Sequence, residues 1–172
     1  KLIDGTGADP IEDSSIVIRG RRLESVGPRS HVPVPKGGEI IDGRGLVVIP
    51  GLIDLHCHYF GNRAAVENKF RVQLSFGVTT TRSIGVDLPE TLDVIADALS
   101  GKIVGPRVYT AGLGFTHPDG HPTSQEDIHR PANEEEARLQ VQQLAAQKVD
   151  FVKIWVESRG GKTPKINELE CK

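Results

Sequence analysis

The sequence predicts an α/β protein, the first four βα units of a (β/α)8 TIM barrel preceded by a small antiparallel β-region, on three observations. Residues 1–50 hold short β-prone runs broken by glycine. After Pro50, strand-like runs alternate with amphipathic runs of helix length. The alternation repeats about every thirty residues, the rhythm of an eightfold β/α barrel.

In the first region "KLID", "SSIVIRG", "RRLESVG", "GEIID" and "LVVIP" read as strands, with Gly5, Gly20, "VPKGG" and "DGRG" as turns between them. So small a sheet buries little apolar area and needs a surface to pack against. The first βα unit is "LIDLHCHY" with a helix over 64–76, where Val66, Phe70 and Leu74 share a stripe and Gly77 is the stop. In the second, "VTTTRSI" leads to a helix opening at Asp87, with Pro89 and Glu90 in its first turn and Leu88, Leu92, Ile95, Ala96 and Leu99 at helical spacing before Gly101. The third strand, "RVYTAGLGF", runs into a Gly-, Pro- and His-rich loop reaching Pro131, a length that marks functional loops. Asn133 and Glu136 have capping-box spacing at the start of the next helix, "ANEEEARLQVQQLAAQK". The fourth strand is "DFVKIWVE", and "TPKINELE" begins a further helix. Half a barrel leaves two strand edges open, so the sequence reads as part of a longer chain whose true N-terminus, with any targeting segment, precedes Lys1.

Composition narrows the chemistry. The 172 residues are 37% hydrophobic and 26% charged with a formal net charge of −2, the profile of an ordinary globular domain. No basic block marks nucleic acid as a partner, and the apolar runs are too short to span a bilayer. Two cysteines, Cys57 and Cys171, form no CxxC pair or disulfide framework, which leans toward a cytoplasmic setting. Nothing in the sequence specifies an oligomeric state.

The chemistry gathers at "IPGLIDLHCHYF". Residues two apart on a strand point the same way, which predicts Asp54, His56 and His58 on one face and Ile53, Leu55, Cys57 and Tyr59 on the other. The apolar face is expected to pack on helices, and the polar face to look into the barrel. Burying such groups without partners costs roughly 2 kcal/mol or more each. A divalent ion gripped by the imidazoles of His56 and His58, with Asp54 as a supporting carboxylate, removes that cost. The position also suits a site, because barrel active sites lie at the C-terminal ends of the strands. Histidine pairs of this spacing occur equally as hydrogen-bonded core residues, so spacing alone leaves both readings open.

"VIPGLIDLHCHY" resembles the opening signature of the metal-dependent amidohydrolase superfamily. The runs "KLIDGTG", "SIVIRGRRLESVG" and "IIDGRGLVVIPGLID" resemble that superfamily's N-terminal half-sandwich, especially in its imidazolonepropionase-related and prolidase-like members. The resemblance implies that residues 1–50 are the N-terminal part of a composite β-sandwich domain and residues 51–172 the first half of a metal-dependent TIM-barrel hydrolase domain. It also implies hydrolysis of a carbon–nitrogen bond in an amide, lactam or dipeptide by a metal-bound hydroxide.

Along "DFVKIWVE", alternation puts Phe151, Lys153, Trp155 and Glu157 on one face. A lysine in mid-strand usually snorkels to water, whereas in a barrel interior a desolvated amine gives up its proton and becomes nucleophilic. The resemblance implies that Lys153 reacts with carbon dioxide and that the carbamate, a carboxylated lysine, bridges two divalent ions, zinc being the leading choice, in a binuclear metal centre. His56 and His58 then hold one ion. The loop "GLGFTHPDGHPTSQEDIHR" carries His117, His121 and His129; the resemblance places His121 at the substrate-binding mouth, with His117 as second choice. His31 reads as a surface residue.

Two nucleotide-binding lookalikes fail. "GGKT" at 160–163 has Val156 where a phosphate loop needs glycine, and "GLGFTH" at 112–117 lacks the third glycine of a dinucleotide fingerprint. The superfamily pattern adds two ligand histidines and an aspartate on later strands, so the 172 residues are expected to be inactive alone. Two alternatives stand beside the hydrolase: a non-catalytic barrel serving as a binding module, and a related metal-dependent phosphoesterase.

Overall fold

The structure, a computed structural model, describes residues 1–125 and 127–166. The chain separates into two compact units, Lys1–Pro50 and Gly51–Lys172.

In the first unit, β1 (Ser14–Arg19) and β2 (Arg22–Pro28) form an antiparallel hairpin running from Ser14 opposite Pro28 to Arg19 opposite Arg22, with a register shift between Val17 and Ile18 that leaves Glu24 without a partner in the pairing. Gly20 turns it with a positive φ of 60°, a conformation that suits a residue without Cβ. Of the five strands expected here, only these two form. "KLID" and "LVVIP" shrink to isolated bridges in which the buried Leu2 meets Ile11 and Val48. "GEIID" lies outside strands with Ile40 and Ile41 at 78% and 86% exposure. The β-propensity of these runs is real, but a strand needs a neighbour to pair with along its length, and propensity does not supply one.

The second unit is built on a parallel sheet in the order β3 (Leu52–Cys57), β4 (Val78–Ser83), β5 (Arg107–Thr110). The connecting helices are α1 (Arg63–Ser75) and α2 (Pro89–Ser100), and α3 (Glu134–Ala146) follows the long loop. Asn62 caps α1 by accepting the Ala65 N–H, and Asn133 caps α3 by accepting the Glu136 N–H. Glu136 reaches back one residue further than a capping box requires, to the N–H of Ala132 at 2.9 Å. For α2 the opening differs from expectation. Its N-cap is Leu88 with no side-chain cap, Pro89 starts the first turn, and Asp87 is drawn into the interior.

One core lies where α1 and α2 cover the sheet, joining Cys57, Tyr59, Val66, Phe70, Val94, Ile95, Ala98 and Val108. A second joins Phe115, Leu144 and Ile166. The fourth strand is the main departure: "DFVKIWVE" forms only an isolated parallel bridge, Ile154 to Phe115, and β5 stops at Thr110. Phe115 supplies both hydrogen bonds of that bridge, donating to Lys153 O at 2.8 Å and accepting from Trp155 N–H at 2.9 Å. The helix expected over "TPKINELE" and the second cysteine, Cys171, fall largely or wholly outside the described residues. No helix among the described residues is long and apolar enough to cross a membrane.

Candidate functional site

The strand that carries the histidine pair is irregular, and this corrects its expected facing. Ile53 pairs with Thr80, Asp54 with Thr81 and Cys57 with Ser83, so Leu55 and His56 together lie opposite Arg82. Two residues against one breaks the period-2 alternation. Asp54 consequently falls on the face of the buried Thr81 and does not share the face of His56; its carboxylate accepts the His56 backbone N–H at 3.0 Å. Ile53 and Leu55 do not pack on helices. Both are 61% exposed and line an open groove with Arg82, Tyr109 and Phe151. Only Cys57 and Tyr59 reach the helix-covered core, where the Tyr59 hydroxyl meets Gln73 and Thr81, each at 2.8 Å.

His56 and His58 do come together, their ring centroids 5.3 Å apart and nearly perpendicular. His58 is half-buried, and its Nδ1 is enclosed without a hydrogen-bond partner. Lys69 of α1 donates to the His58 carbonyl at 2.6 Å and so fixes the backbone just past the end of β3. Burial above all, then the charges of His56, Lys153 and Lys69, lowers the His58 pKa and keeps its ring neutral, the form that ligates metal.

Lys153 is half-buried, and its charge is one of those that lower the His58 pKa. Burial, with a smaller contribution from Arg82, lowers the Lys153 pKa. Its Nζ lies 5.1 Å from the centre of the Trp155 ring, while the Arg82 guanidinium sits 4.8 Å over Phe151. Among the described residues, no three His, Cys, Asp or Glu side chains converge as a metal-binding group.

The loop histidines take separate places. His121 receives a hydrogen bond at Nε2 from Arg159 (2.7 Å), and its carbonyl accepts from the Thr116 hydroxyl. His117 turns back on its own loop, Nδ1 accepting the Asp119 N–H at 3.1 Å. His129 stacks on Phe115 with centroids 4.7 Å apart.

Sequence reasoning missed two organising residues. Arg130 donates to the carbonyls of His117, Pro118, Gly120, Pro122 and Gln125, pinning the loop from a single guanidinium. Asp87 is buried between the Ser83 hydroxyl (2.6 Å) and the Thr110 hydroxyl (2.5 Å), tying β4 to β5. The hydroxyl at the end of each strand was the available signal for Asp87; nothing local marks Arg130.

No family model matches the chain. Over 104 residues it is 35% identical to an N-acyl-D-aspartate deacylase of Alcaligenes xylosoxydans xylosoxydans, covering 55% of this chain and 20% of that one. Over 58 residues it is 45% identical to an imidazolonepropionase of Rubrobacter xylanophilus, covering 30% and 14%. Among solved structures, a Bifidobacterium longum protein provisionally assigned as a prolidase superposes with a TM-score of 0.70 at 32% identity, over 79% of this chain and 33% of that one. A Xaa-Pro dipeptidase with bound methionine in its active site gives 0.76 at 26% identity, over 90% and 45%. The chain thus spans a fifth or less of the length of these two curated relatives and under half of these solved chains. In sequence likeness and in fold alike, this chain resembles proteins of the amidohydrolase superfamily.

Proposed function

We propose that the chain contributes to a metal-dependent hydrolase of carbon–nitrogen bonds, in amides, lactams or dipeptides, with His56, His58 and Lys153 as its metal-binding residues. The observation that carries the reading is the enclosed, unpartnered Nδ1 of His58 beside the His56 ring. A buried polar atom left unpaired is costly, and a divalent ion is a partner suited to two neighbouring neutral imidazoles. The residues fit such an ion as part of a ligand set. When bound, two divalent ions such as zinc would supply the Lewis acid that activates water and polarises the carbonyl under attack.

The chain's own residues do the remaining work. Lys153, with its pKa lowered, would attack carbon dioxide through Nζ, the N–C bond forming as one C=O π bond opens and the nitrogen gives up a proton; the carbamate oxygens would then be available to hold the ions. Asp54 acts indirectly, holding the His56 backbone. Because Arg159 occupies Nε2 of His121, Nδ1 carries that ring's proton and is free to donate to a substrate carbonyl or carboxylate. His117, engaged with Asp119, is the weaker candidate for substrate contact. The relatives named for deacylation and dipeptide cleavage favour a small acylated or peptidic substrate. In this reading Lys1–Pro50 is part of a composite β-sandwich and Gly51–Lys172 the first half of a barrel, so that turnover belongs to a longer chain.

Zinc titration followed through the imidazole resonances tests the reading. His56 and His58 should respond together, and His58→Asn should abolish the response at His56. Unmoved resonances at millimolar zinc would end the metal assignment. Dipeptide, lactam and phosphoester assays of the 172 residues alone should show no turnover.

A further inference from the structure

The ends of β4 and β5 present a surface without side chains at the place where Lys153 crosses it. Gly114 N–H donates to Gly85 O at 2.8 Å, so the two glycines are neighbours across the gap between the strand ends. A Cβ at Gly85 would stand 2.6 Å from Trp155 Cη2 and 2.8 Å from Lys153 Cγ. One at Gly114 would stand 2.9 Å from Lys153 Cγ and would overlap Trp155 Cζ3 outright. Those distances are far inside ordinary carbon–carbon contact. The lysine stem and the indole therefore lie directly on glycine backbone, side by side.

The backbone fixes both from the same residue, since Phe115 pairs with Lys153 O and with Trp155 N–H. The indole also lies under the lysine's charged end, with Nζ 5.1 Å from the ring centre, within the range of a cation–π contact. A lysine has four rotatable bonds and aims poorly unless its stem is confined. We propose that Trp155 is the positioning residue for Lys153, confining its stem against a floor that Gly85 and Gly114 leave open, so that Nζ is directed toward the histidine pair. This rests on the reading of Lys153 as a metal-bridging residue. The two glycines serve in different ways. Gly85 has a φ of +102°, which a side chain tolerates poorly in any case, whereas Gly114 has no such conformation and is required for space alone.

The test uses the 172-residue chain with Trp155→Leu, Trp155→Phe and Gly114→Ala, and two readouts. Ring currents should displace the Lys153 methylene protons in the wild type. The displacement should vanish in Trp155→Leu, shrink in Gly114→Ala and persist in Trp155→Phe. Zinc affinity in bicarbonate should weaken about 10-fold in Trp155→Leu and Gly114→Ala, the scale expected when a group that orients a ligand is lost, and by less than about 3-fold in Trp155→Phe. The Tyr59 and Phe70 resonances, from the helix-covered core, report whether each variant is folded. Wild-type affinity in a folded Trp155→Leu chain overturns the proposal, as do methylene shifts that ignore the substitution. A wild-type chain that binds no zinc overturns the metal reading instead, and the methylene shifts then decide the positioning role by themselves.

Discussion

The two faces of the sheet β3-β4-β5 are opposites. On one, Cys57, Thr81, Ser83, Val108 and Thr110 are all buried under α1 and α2 or in the hydroxyl–carboxylate network of Asp87. On the other, Ile53, Leu55 and Tyr109 stand 61%, 61% and 41% exposed, with Arg82 and Arg107 between them. Covered β-rich surface supplies stability, since removing apolar area from water is the main driving force. The uncovered face contributes little to that account, yet beside its end stand the half-buried His58 and Lys153. The packed core and the proposed site thus fall in different parts of the sheet.

The sharpest way to break this comparison is to cut one large side chain on each face. Phe70 is fully buried and packs edge-on against Tyr59, with ring centroids 5.1 Å apart. Phe70→Ala should lower the unfolding free energy by about 3–5 kcal/mol, the transfer loss plus a cavity. Leu55→Ala removes an exposed side chain and should change it by about 0.5 kcal/mol or less. Urea unfolding of both variants measures the contrast, and comparable losses would mean that the two faces are equally packed.

Asp87 tests the polar part of the covered face. Asp87→Ala strands the Ser83 and Thr110 hydroxyls in a buried site and should cost about 2–3 kcal/mol. Burial raises the Asp87 pKa against the opposing effect of the two hydroxyls, so the folded chain keeps this proton to higher pH than the unfolded chain does. Its contribution is therefore fully present below the unfolded value, about 3.9, and is lost as pH rises through the folded one. Asp87→Asn removes the titration while keeping the shape. Relative to the wild type, it should gain stability on going from about pH 4 to about pH 7; a parallel pair of pH profiles would refute the shift.

The division between the faces was only partly legible in the sequence. Helix stripes such as Val66 with Phe70, and the cap Asn133, follow from 3.6-residue spacing and local hydrogen bonding, and they lie where that physics puts them. Alternation failed at residues 54–57 because period 2 holds only while one residue faces one, and the extra residue opposite Arg82 is a property of the pairing rather than of either strand. "DFVKIWVE" reads as a strand by composition, but its single bridge to Phe115 depends on a distant segment. The histidine pair was readable from the twelve residues Ile49–Phe60. The Trp155 contacts at Gly85 and Gly114 were not, since they join three segments far apart in the chain.

The smallest expected effect concerns the far side of Phe115, the residue that also holds Lys153. His129 stacks on the Phe115 ring, and its backbone is paired on both sides, to Gly114 O at 2.8 Å and from Thr116 N–H at 3.0 Å. Burial lowers its pKa, so the unfolded chain takes up the proton first as pH falls. Stability from this group is intact above the unfolded value of about 6.5 and is lost as pH drops from there through the folded value. His58, also depressed by burial, adds to the same window, so the variant to compare is His129→Phe, which keeps a ring on Phe115 and removes one of the two protons. Its urea midpoint should fall less steeply than that of the wild type below about pH 6.5, and a direct NMR titration should place His129 below the ordinary imidazole value of about 6.5. If His129 titrates at the ordinary value, the stack is open to water, and the backbone that presents Lys153 is less firmly seated than the Phe115 hydrogen bonds indicate.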